Sequence, residues 1–426
     1  MTRNPDSRDD KFQRRALQVK EAQARVIQYA NALDLEEVPL SQSCGRYLAE
    51  AVIAPHPFPA FKRSGMDGYA LIAADTEECG SENTVWLEVV DNIPCGAVPA
   101  VDVTSGKASR IMTGAQVPEG ADTVIMLEAT ESRVTDGTSY VGIRKTQEAG
   151  RNITPRGLEL SQGDLVLPAG GLISAGEIAV LAAFGVHTVK VRRRPKVGIF
   201  ATGTELLEVH EPLQPGRIRN SNSPMLEALV REAGGEPIML GAIVDDLELA
   251  RSKVQMVLES YDFVITTGGV SVGDYDIMGD LISEQSGDML FNKVTMRPGS
   301  VTTAAVRGGK LLLALSGNPG ACFVGFQLFA RPVIGLMQGA SKPYLPEWTA
   351  TLGEDYPKVN NFTRFVRARL EFREGSLYAF PAKIDESSVM VTIKDSNCLI
   401  IVPPEERGLT AGAKVKVIKL PGDIQA

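Results

Sequence analysis

The sequence predicts a multidomain α/β protein built around a doubly wound, mostly parallel sheet, with mixed β-rich domains and a small β-barrel at the C-terminal end. Three observations lead to this prediction. Short apolar runs alternate with helical patterns between residues 195 and 340, as in an open α/β sheet. The segment before them shows short strands separated by turns, and the segment after them shows strands only, as in a small β-barrel or sandwich. At 426 residues, the chain is too long for one hydrophobic core.

Four domains are predicted from these changes in pattern. A helical pattern runs from about Lys11 to Leu33, and three prolines between Pro55 and Pro59 stiffen a crossing that follows it. Two further prolines between Ser341 and Glu347 indicate a second linker. The predicted domains are an N-terminal helix with a β-rich domain (11–55 and 157–194), a mixed α/β domain (56–156), the sheet domain (195–340) and the barrel (341–426).

The charge of the chain limits the ligands that it could bind. Its net charge is −8 and it has no long basic run, which excludes general nucleic-acid binding. An anionic ligand would need local devices such as main-chain amides, helix N-termini or single arginines. The five cysteines share no metal-ligand spacing and the first residues form no apolar signal segment, so we expect a cytoplasmic protein that does not span a membrane.

Within the predicted sheet domain, three apolar strands end in loops that combine glycine with polar side chains. Because the carboxyl ends of parallel strands share one edge of an open sheet, we expect these loops to line one crevice. A single Gly-Gly loop is more often only a tight turn, but three such loops in one sheet indicate ligand binding. The strand and loop pairs are Val197–Ala201 with 202–205, Phe263–Ile265 with 266–273, and Leu311–Leu315 with 316–320.

Main-chain amides and hydroxyls in these loops are suited to holding a phosphate-like group. Glycine lets the backbone approach an anion closely and adopt positive φ angles. Arg297 and Ser300, in a Met-Arg-Pro-Gly-Ser turn, add a cation and a hydroxyl. The candidate ligand-binding residues are Gly203, Thr204, Gly268, Gly269, Ser271, Arg297, Ser300, Ser316, Asn318 and Pro319.

Helical patterns and one hairpin complete the predicted sheet domain. Ser223 is predicted as the N-cap of a helix whose first turn contains Pro224. A hairpin is predicted between Met296 and Val306, and a long apolar helix from about Ala321 to Met337.

Several carboxylates are predicted near the same sheet edge, and they would repel one another unless a cation lay among them. The three histidines, His56, His187 and His210, are scattered along the chain, which argues against a histidine-centred triad or metal site. We therefore predict that Mg²⁺ bridges Glu205 and Asp276 to a phosphate, since Mg²⁺ prefers oxygen ligands. The other candidate carboxylates are Asp245, Asp246, Asp274 and, in the second domain, Asp67.

The predicted barrel offers weaker candidates for contact with an oxyanion. Residues 362–372 alternate in polarity, and the arginines of an alternating strand usually lie on a solvated face. Arg364, Arg367 and the pair Ser387 and Ser388 are therefore secondary candidates.

Six motifs in a fixed order are spread over nearly the whole chain. They are Pro-Phe-Pro-Ala-Phe-Lys-Arg-Ser-Gly-Met-Asp-Gly-Tyr-Ala (57–70), Ile-Met-Thr-Gly-Ala (111–115), Pro-Glu-Gly-Ala-Asp (118–122), Thr-Gly-Thr-Glu-Leu (202–206), Thr-Gly-Gly-Val-Ser-Val-Gly (267–273) and Gly-Asn-Pro (317–319). Through these motifs the chain resembles the molybdopterin molybdenumtransferase family, which includes bacterial MoeA and the E domain of gephyrin-like proteins. Its sheet domain is therefore expected to be of the molybdopterin-binding type.

The resemblance implies a reaction and an assembly. Such proteins insert molybdate into adenylylated molybdopterin and release AMP in the presence of Mg²⁺, so adenylyl-molybdopterin and molybdate are the expected substrates. An elongated homodimer is expected, in which Asp67 and Thr113 of one subunit face the sheet crevice of the other. Transient contacts with a molybdopterin adenylyltransferase and with apo-molybdoenzymes are also implied. The implied acidic and hydroxyl residues of the reaction are Asp67, Thr113, Glu205, Asp246 (in preference to Asp245) and Asp276.

Two departures from the family pattern fall where the anion is expected to bind. Many relatives have Lys-Pro-Gly-Lys where this chain has Arg297-Pro298-Gly299-Ser300, so one cation is lost. Many also have proline at the position of Ser316, whose hydroxyl is able to donate a hydrogen bond to an oxyanion.

Two other functions stay open on the sequence alone. An adenylyltransferase acting one step earlier uses a similar sheet domain, but the additional domains and the 57–70 motif disfavour it. A non-catalytic scaffold that binds peptide partners, as gephyrin-like proteins also do, is disfavoured by the presence together of Asp67, Glu205 and Asp276.

Overall fold

The computed structural model describes residues 16–80, 82–243, 256–268, 288–359, 361–404 and 408–424, which form two compact units. The first unit contains the described residues of Met1–Glu50, Ala169–Ile178 and His187–Ala426. The second contains those of Ala51–Pro168 and Ala179–Val186.

The strands of the described residues are numbered here in chain order. They are β1 Leu35–Pro39, β2 Val52–Ile53, β3 Arg63–Ser64, β4 Gly68–Leu71, β5 Val85–Ile93, β6 Lys107–Ile111, β7 Thr123–Met126, β8 Thr130–Thr135, β9 Thr138–Ile143, β10 Ile153–Thr154, β11 Leu165–Leu167, β12 Thr188–Arg192 and β13 Lys196–Thr202. They continue as β14 Leu206–Leu207, β15 Ile218–Arg219, β16 Glu236–Ile243, β17 Phe263–Thr267, β18 Asp288–Phe291, β19 Met296–Arg297, β20 Thr303–Arg307, β21 Lys310–Leu315, β22 Glu347–Leu352, β23 Thr363–Arg373, β24 Ser376–Pro381, β25 Cys398–Val402 and β26 Lys414–Lys419.

Four helices have both ends within the described residues. They are α1 Val19–Ile27, α2 Ala175–Ala183, α3 Asn222–Glu232 and a long helix α4, Pro319–Met337. Single 3₁₀ turns occupy Leu40–Gln42, Ala73–Thr76, Leu127–Ala129 and Val391–Ile393, and residues 256–260 are also helical.

Within the described part of the predicted Lys11–Leu33 helix, α1 is shorter than expected. Its first residues are lost because Leu17 forms a parallel β-bridge with Val294.

The first unit contains the doubly wound sheet that the sequence predicts. Its spatial order is β16-β13-β17-β21-β20-β18, with β16, β13, β17 and β21 parallel and β20 and β18 antiparallel. Alternate residues of the central strands face two separate cores. Ile199 and Ile265 pack in one core with residues of α1, α3 and α4, whereas Phe200 and Val264 pack in the other with Val257. Because both faces are covered, the central strands consist almost entirely of apolar residues.

The start of α3 corrects one prediction. The helix begins at Asn222 with Ser221 at the N-cap, and not with Ser223 at that position. The Asn220 side chain explains the earlier start, since its Oδ1 accepts a hydrogen bond from the Ser223 N–H (3.1 Å). Its Nδ2 donates in return to the Ser223 hydroxyl (2.9 Å), so the two residues cap the helix together.

A π-helical turn at Phe326–Ala330 interrupts α4. Pro332 lies just after it and has no N–H with which to bond the Leu328 carbonyl, its usual acceptor four residues earlier. The Gln23 side chain of α1 donates to that carbonyl instead (3.0 Å). Among the described residues, this helix alone is long and apolar enough to cross a membrane, and 89% of its apolar window is buried inside the protein.

The C-terminal part of the first unit is the predicted β-barrel. Strand β23 pairs with both β24 and β25, and the ring β23-β24-β22-β26-β25 closes on itself. Strand β19, which contains Arg297, pairs in parallel with β23 at the position of Arg364. The turn that contains Arg297 is therefore joined directly to the barrel.

The second unit has a six-stranded sheet of order β7-β4-β6-β5-β9-β8. Its strands β4 and β6 are antiparallel neighbours, with Gly68 opposite Ile111. The start of β4 therefore lies beside the end of β6. This arrangement brings Asp67, just before β4, close to Thr113, just after β6.

Candidate functional site

The candidate site is the sheet edge at which β13, β17 and β21 end. The first of the parallel strands along the chain, β13, lies between the second, β16, and the third, β17. The connection that follows β13 therefore leads to its neighbour on one side, and the connection that follows β16 leads to the neighbour of β13 on the other side. Such a switch point opens a crevice at the carboxyl ends of the strands. Gly203, Gly268 and Gly317 follow the three strand ends.

These three strand ends are in contact with one another. Gly268 adopts a φ of +86°, and a Cβ at this position would lie 2.4 Å from the Thr202 carbonyl oxygen. A Cβ on Gly317 would lie 3.5 Å from the Gly268 Cα. The Gly268 N–H donates to the Leu315 carbonyl (3.1 Å). Only glycine fits at position 268, because any side chain would collide with the neighbouring strand end.

Asn222, which the sequence analysis did not single out, joins the loops. Its Nδ2 donates to the Thr267 hydroxyl and to the Gly317 carbonyl, both at 2.8 Å. The residue is only 7% exposed, and its Oδ1 has no hydrogen-bond partner among the described residues. The polar run Asn-Ser-Asn-Ser at the start of α3 was the signal in the sequence that could have indicated it.

The last of the three loops continues directly into α4. Asn318 is the N-cap of that helix and Pro319 its first residue. The buried Ser316 hydroxyl accepts a hydrogen bond from the Asn318 N–H (3.2 Å), and its own proton is available for donation. Gly317 and Asn318 are exposed, so the positive end of the helix dipole is open to an anion.

Arg367 lies buried beneath this helix start. It is 1% exposed, and a Cβ on Gly320 would lie 1.7 Å from its Nη1. That nitrogen has no hydrogen-bond partner among the described residues, and burial lowers the pKa of the guanidinium, opposed by the charge of Asp385. The expectation of a solvated face is wrong for this arginine. Its charge adds to that of the helix terminus and favours an anion there.

The turn at Arg297 and Ser300 lies beside the same helix. A Cβ on Gly299 would lie 3.5 Å from the Ala321 carbonyl oxygen. Arg297 is exposed, and its guanidinium lies 5.4 Å from the centre of the Phe362 ring. Ser300 is half-buried, and its carbonyl accepts a hydrogen bond from the Val294 N–H (2.9 Å).

Glu205 is the described half of the predicted magnesium pair. A Cβ on Gly203 would lie 2.6 Å and 2.8 Å from its two carboxylate oxygens, so the side chain folds back over the end of β13. Thr204 and Glu205 are both exposed. Within the part of the chain that the structure describes, no group of three or more His, Cys, Asp or Glu could hold a metal ion. Asp245, Asp246, Gly269, Ser271, Asp274 and Asp276 lie outside the described residues.

Asp67 and Thr113 form a polar pair in the second unit. The Thr113 N–H and hydroxyl both donate to Asp67 Oδ1, at 2.7 Å and 2.6 Å. These two bonds, the hydroxyl first, hold the pKa of the Asp67 carboxyl below its usual range. Both residues are exposed, and so are the neighbouring side chains of Met66 and Met112. An ionised carboxylate is thus held in one orientation at the surface.

Comparison with known proteins places this geometry in a family. Three family models match the chain: the MoeA N-terminal region (domain I and II) over 17–185, a probable molybdopterin binding domain over 198–335 and the MoeA C-terminal region (domain IV) over 349–420. The molybdopterin molybdenumtransferase of Bacillus subtilis (strain 168) is 45% identical over 405 residues, which is 95% of this chain and 94% of that protein.

The chain belongs to the molybdopterin molybdenumtransferase family. The molybdopterin molybdenumtransferase of Staphylococcus aureus (strain Mu50 / ATCC 700699) is 41% identical over 410 residues, covering 96% of this chain and 97% of that one. Among solved structures, the molybdopterin biosynthesis MoeA protein of Pyrococcus horikoshii OT3 superposes with a TM-score of 0.81 at 30% identity, over 95% of this chain and 99% of that one. The resemblance inferred from the six motifs is confirmed.

Within this family fold, the structure brings together most of the described candidate residues. The strand ends at Gly203, Gly268 and Gly317 meet, and the turn of Arg297 and Ser300 lies beside the helix that follows the last of them. Asp67 and Thr113 form a separate pair in the other unit. Asn222 and the buried position of Arg367 were not foreseen, because both depend on contacts between distant parts of the chain.

Proposed function

We propose that this chain is a molybdopterin molybdenumtransferase that inserts molybdate into adenylylated molybdopterin and releases AMP. The observation that supports this most is the meeting of three glycine-containing strand ends beside the start of α4 and the buried Arg367. Main-chain donors, a helix terminus and a cation with unused hydrogen-bonding capacity suit a ligand with several negative charges. The two relatives named above are molybdopterin molybdenumtransferases, and this chain matches each of them over nearly its whole length.

In this proposal, the protein acts mainly by positioning and by electrostatic stabilisation. Loop amides around Gly203, Gly268 and Gly317 bind the phosphates, together with Thr204 and with Gly269 and Ser271, two residues that lie outside the described ranges. Molybdate lies nearer Arg297, Ser300, Ser316, Asn318 and Pro319. Donors fixed in place before the reaction need not reorganise as charge develops on the phosphoanhydride that releases AMP. Asp67, Thr113 and Asp246 are proposed as the remaining acidic and hydroxyl residues of the reaction.

We propose Mg²⁺ as the resident cation, held by Glu205 and Asp276. The exposed carboxylate of Glu205 at the end of β13 offers the hard oxygen ligands that Mg²⁺ prefers, beside the loops proposed for the phosphates. When bound, Mg²⁺ would neutralise part of the phosphate charge. Glu205 itself orients towards the strand end, where Gly203 leaves room for its carboxylate.

The proposed function is tested by AMP release. Purified protein is incubated with adenylylated molybdopterin, Mg²⁺ and molybdate, and AMP is measured. We expect release that depends on molybdate and on Mg²⁺, with a higher Mg²⁺ requirement in Glu205→Gln. A protein that releases no AMP under these conditions is not a molybdenumtransferase, and the scaffold function would then be favoured. Formation of adenylylated molybdopterin from ATP and molybdopterin by the pure protein would instead indicate an adenylyltransferase.

The assembly and cellular context are also proposals. We propose a cytoplasmic homodimer in which Asp67 and Thr113 of one copy act with the sheet edge of the other, and which contacts a molybdopterin adenylyltransferase and apo-molybdoenzymes transiently. The exposed Met66 and Met112 beside Asp67 are consistent with a surface that another copy covers. Light scattering that gives the mass of a single 45.7-kDa chain at micromolar concentration would exclude the dimer.

A further inference from the structure

A loop of the barrel, residues 382–388, makes two hydrogen bonds to the start of α4 and one to the side chain of Arg367 in β23. The Gly320 N–H donates to the Ser387 carbonyl (2.9 Å), and Asn318 Nδ2 donates to the Ser387 hydroxyl (3.1 Å). Arg367, which packs against Gly320, donates through Nη2 to the Glu386 carbonyl (2.9 Å). The position of the helix start, and with it the proposed anion site, therefore depends on where this loop lies.

One buried carboxylate in the loop receives donors from the rest of the barrel. Asp385 is 8% exposed, and its carboxylate accepts hydrogen bonds from the Tyr356 hydroxyl (2.5 Å), from Arg364 Nη1 (3.0 Å) and from Lys358 Nζ. Lys358 also donates to Glu386 (2.8 Å), the next residue of the loop. Tyr356 is itself fixed to the barrel by two main-chain hydrogen bonds with Leu409, both at 2.8 Å.

Asp385 is ionised in this setting. Burial by itself would raise the pKa of Asp385, but the hydrogen bonds from Lys358, Tyr356 and Arg364 outweigh it and lower the pKa. Two cations thus converge on one buried anion. Removing that anion would leave the largely buried Arg364 without its carboxylate partner and Lys358 with Glu386 alone, whereas keeping it fixes the backbone of residue 385 within the barrel.

We propose that Asp385 is a positioning residue of the transferase site. By tying the loop to Tyr356, Lys358 and Arg364, it holds Ser387 against Asn318 and Gly320 and so sets the geometry of the proposed oxyanion-binding loop. This inference rests on the proposed function, since it assigns the loop at Asn318 to the substrate. Asp385 acts through Ser387 and has no direct contact with the substrate.

The test compares Asp385→Asn with Glu371→Gln. Glu371 is a matched control, because it is a buried carboxylate of the same barrel that pairs with two arginines, Arg369 and Arg373, and it does not belong to the loop. Hydrogen exchange of the peptide covering residues 316–325 is followed by mass spectrometry in both variants. We expect faster exchange of the Gly320 amide in Asp385→Asn only, because its acceptor on Ser387 is no longer held in place.

Steady-state kinetics give the second readout. In Asp385→Asn the KM for molybdate should rise on the order of tenfold or more while kcat changes less, because a misplaced loop weakens binding of the anion. Equal changes of exchange and KM in both variants, or no change in Asp385→Asn, would overturn the proposal. If Asp385→Asn does not fold, Tyr356→Phe, which removes one of the three donors, is judged by the same criteria. If the wild-type protein shows no activity, the proposed function is rejected but the role of Asp385 is still tested. The hydrogen-exchange comparison then decides by itself whether Asp385 positions the loop.

Discussion

Thr113 orients the exposed carboxylate of Asp67 and lowers its pKa. The N–H and the hydroxyl of Thr113 each donate a hydrogen bond to Oδ1 of Asp67, and both bonds favour the ionised form of the carboxyl. At the surface, such bonds act on the titration and orientation of the group and add little to the stability of the fold. Thr113 therefore fixes the orientation of the Asp67 carboxylate through one of its two oxygens.

Replacing Thr113 by valine should raise the pKa of Asp67 towards its ordinary value of 3.8. The hydroxyl bond to the charged form is lost, whereas the main-chain bond from residue 113 can remain, so the pKa should rise without exceeding the usual range. Because the pKa of Asp67 is lowered, the hydrogen-bonded pair with the ionised carboxylate is fully formed above the ordinary pKa. It is lost as the pH falls through the lowered pKa. Titration of the Asp67 carboxyl carbon by NMR measures the change.

Thr135→Val is the control for this titration, because Thr135 is an exposed threonine of the same sheet that lies on another strand. An Asp67 pKa that is the same in Thr113→Val and in the wild type would contradict the role given to the hydroxyl.

The individual residues also show what sequence reasoning can and cannot predict. The loops 202–205, 266–273 and 316–320 were predicted to share one edge because strand ends of a parallel sheet must do so. The contact of Asn222 with Gly317 and that of Arg367 with Gly320 join parts of the chain that are far apart in sequence. No local pattern carries such information, and the alternation around Arg367 favoured the wrong, solvated interpretation.

At the scale of elements, a side chain of α1 compensates for the N–H that Pro332 lacks in α4. Its long apolar pattern was predicted from the sequence, but the π-helical turn was not, because the effect of Pro332 depends on what replaces the missing N–H. Gln23 of α1 supplies a donor to the carbonyl of Leu328. Likewise, the N-cap of α3 is Ser221, two residues before the predicted Ser223, because Asn220 and Ser223 bond each other.

Gln23→Ala should lower the free energy of unfolding by about 1 kcal/mol, the usual net contribution of one hydrogen bond. Stability is lost because the variant lacks the hydrogen bond from Gln23 to the Leu328 carbonyl, and Pro332 has no N–H that could replace it. Urea unfolding measures the change, with Gln28→Ala as the control, since Gln28 is an exposed glutamine at the end of the same helix. Equal stability of Gln23→Ala and Gln28→Ala would show that the side chain does not support the turn.

For the whole molecule, the fold class and the family were accessible from sequence, while the division into four domains stays a prediction. Six motifs in order identified the family, and the alternation of strands and helices identified the parallel sheet. The strand-only pattern predicted a small barrel or sandwich, and the pairing of β23 with β25 in the structure shows that it is a closed barrel. The dependence of the proposed site on the barrel loop did not follow, because Ser387 and Gly320 meet only in the folded chain.

The central claim is that the strand ends at Gly203, Gly268 and Gly317 form one site for a polyanion. A crystal structure of the protein with bound AMP tests it most directly. The account predicts that the AMP phosphate lies within about 3.2 Å of main-chain amides in the loops that follow β13, β17 or β21. AMP bound elsewhere on the chain, with these three loops in contact only with solvent, would contradict it.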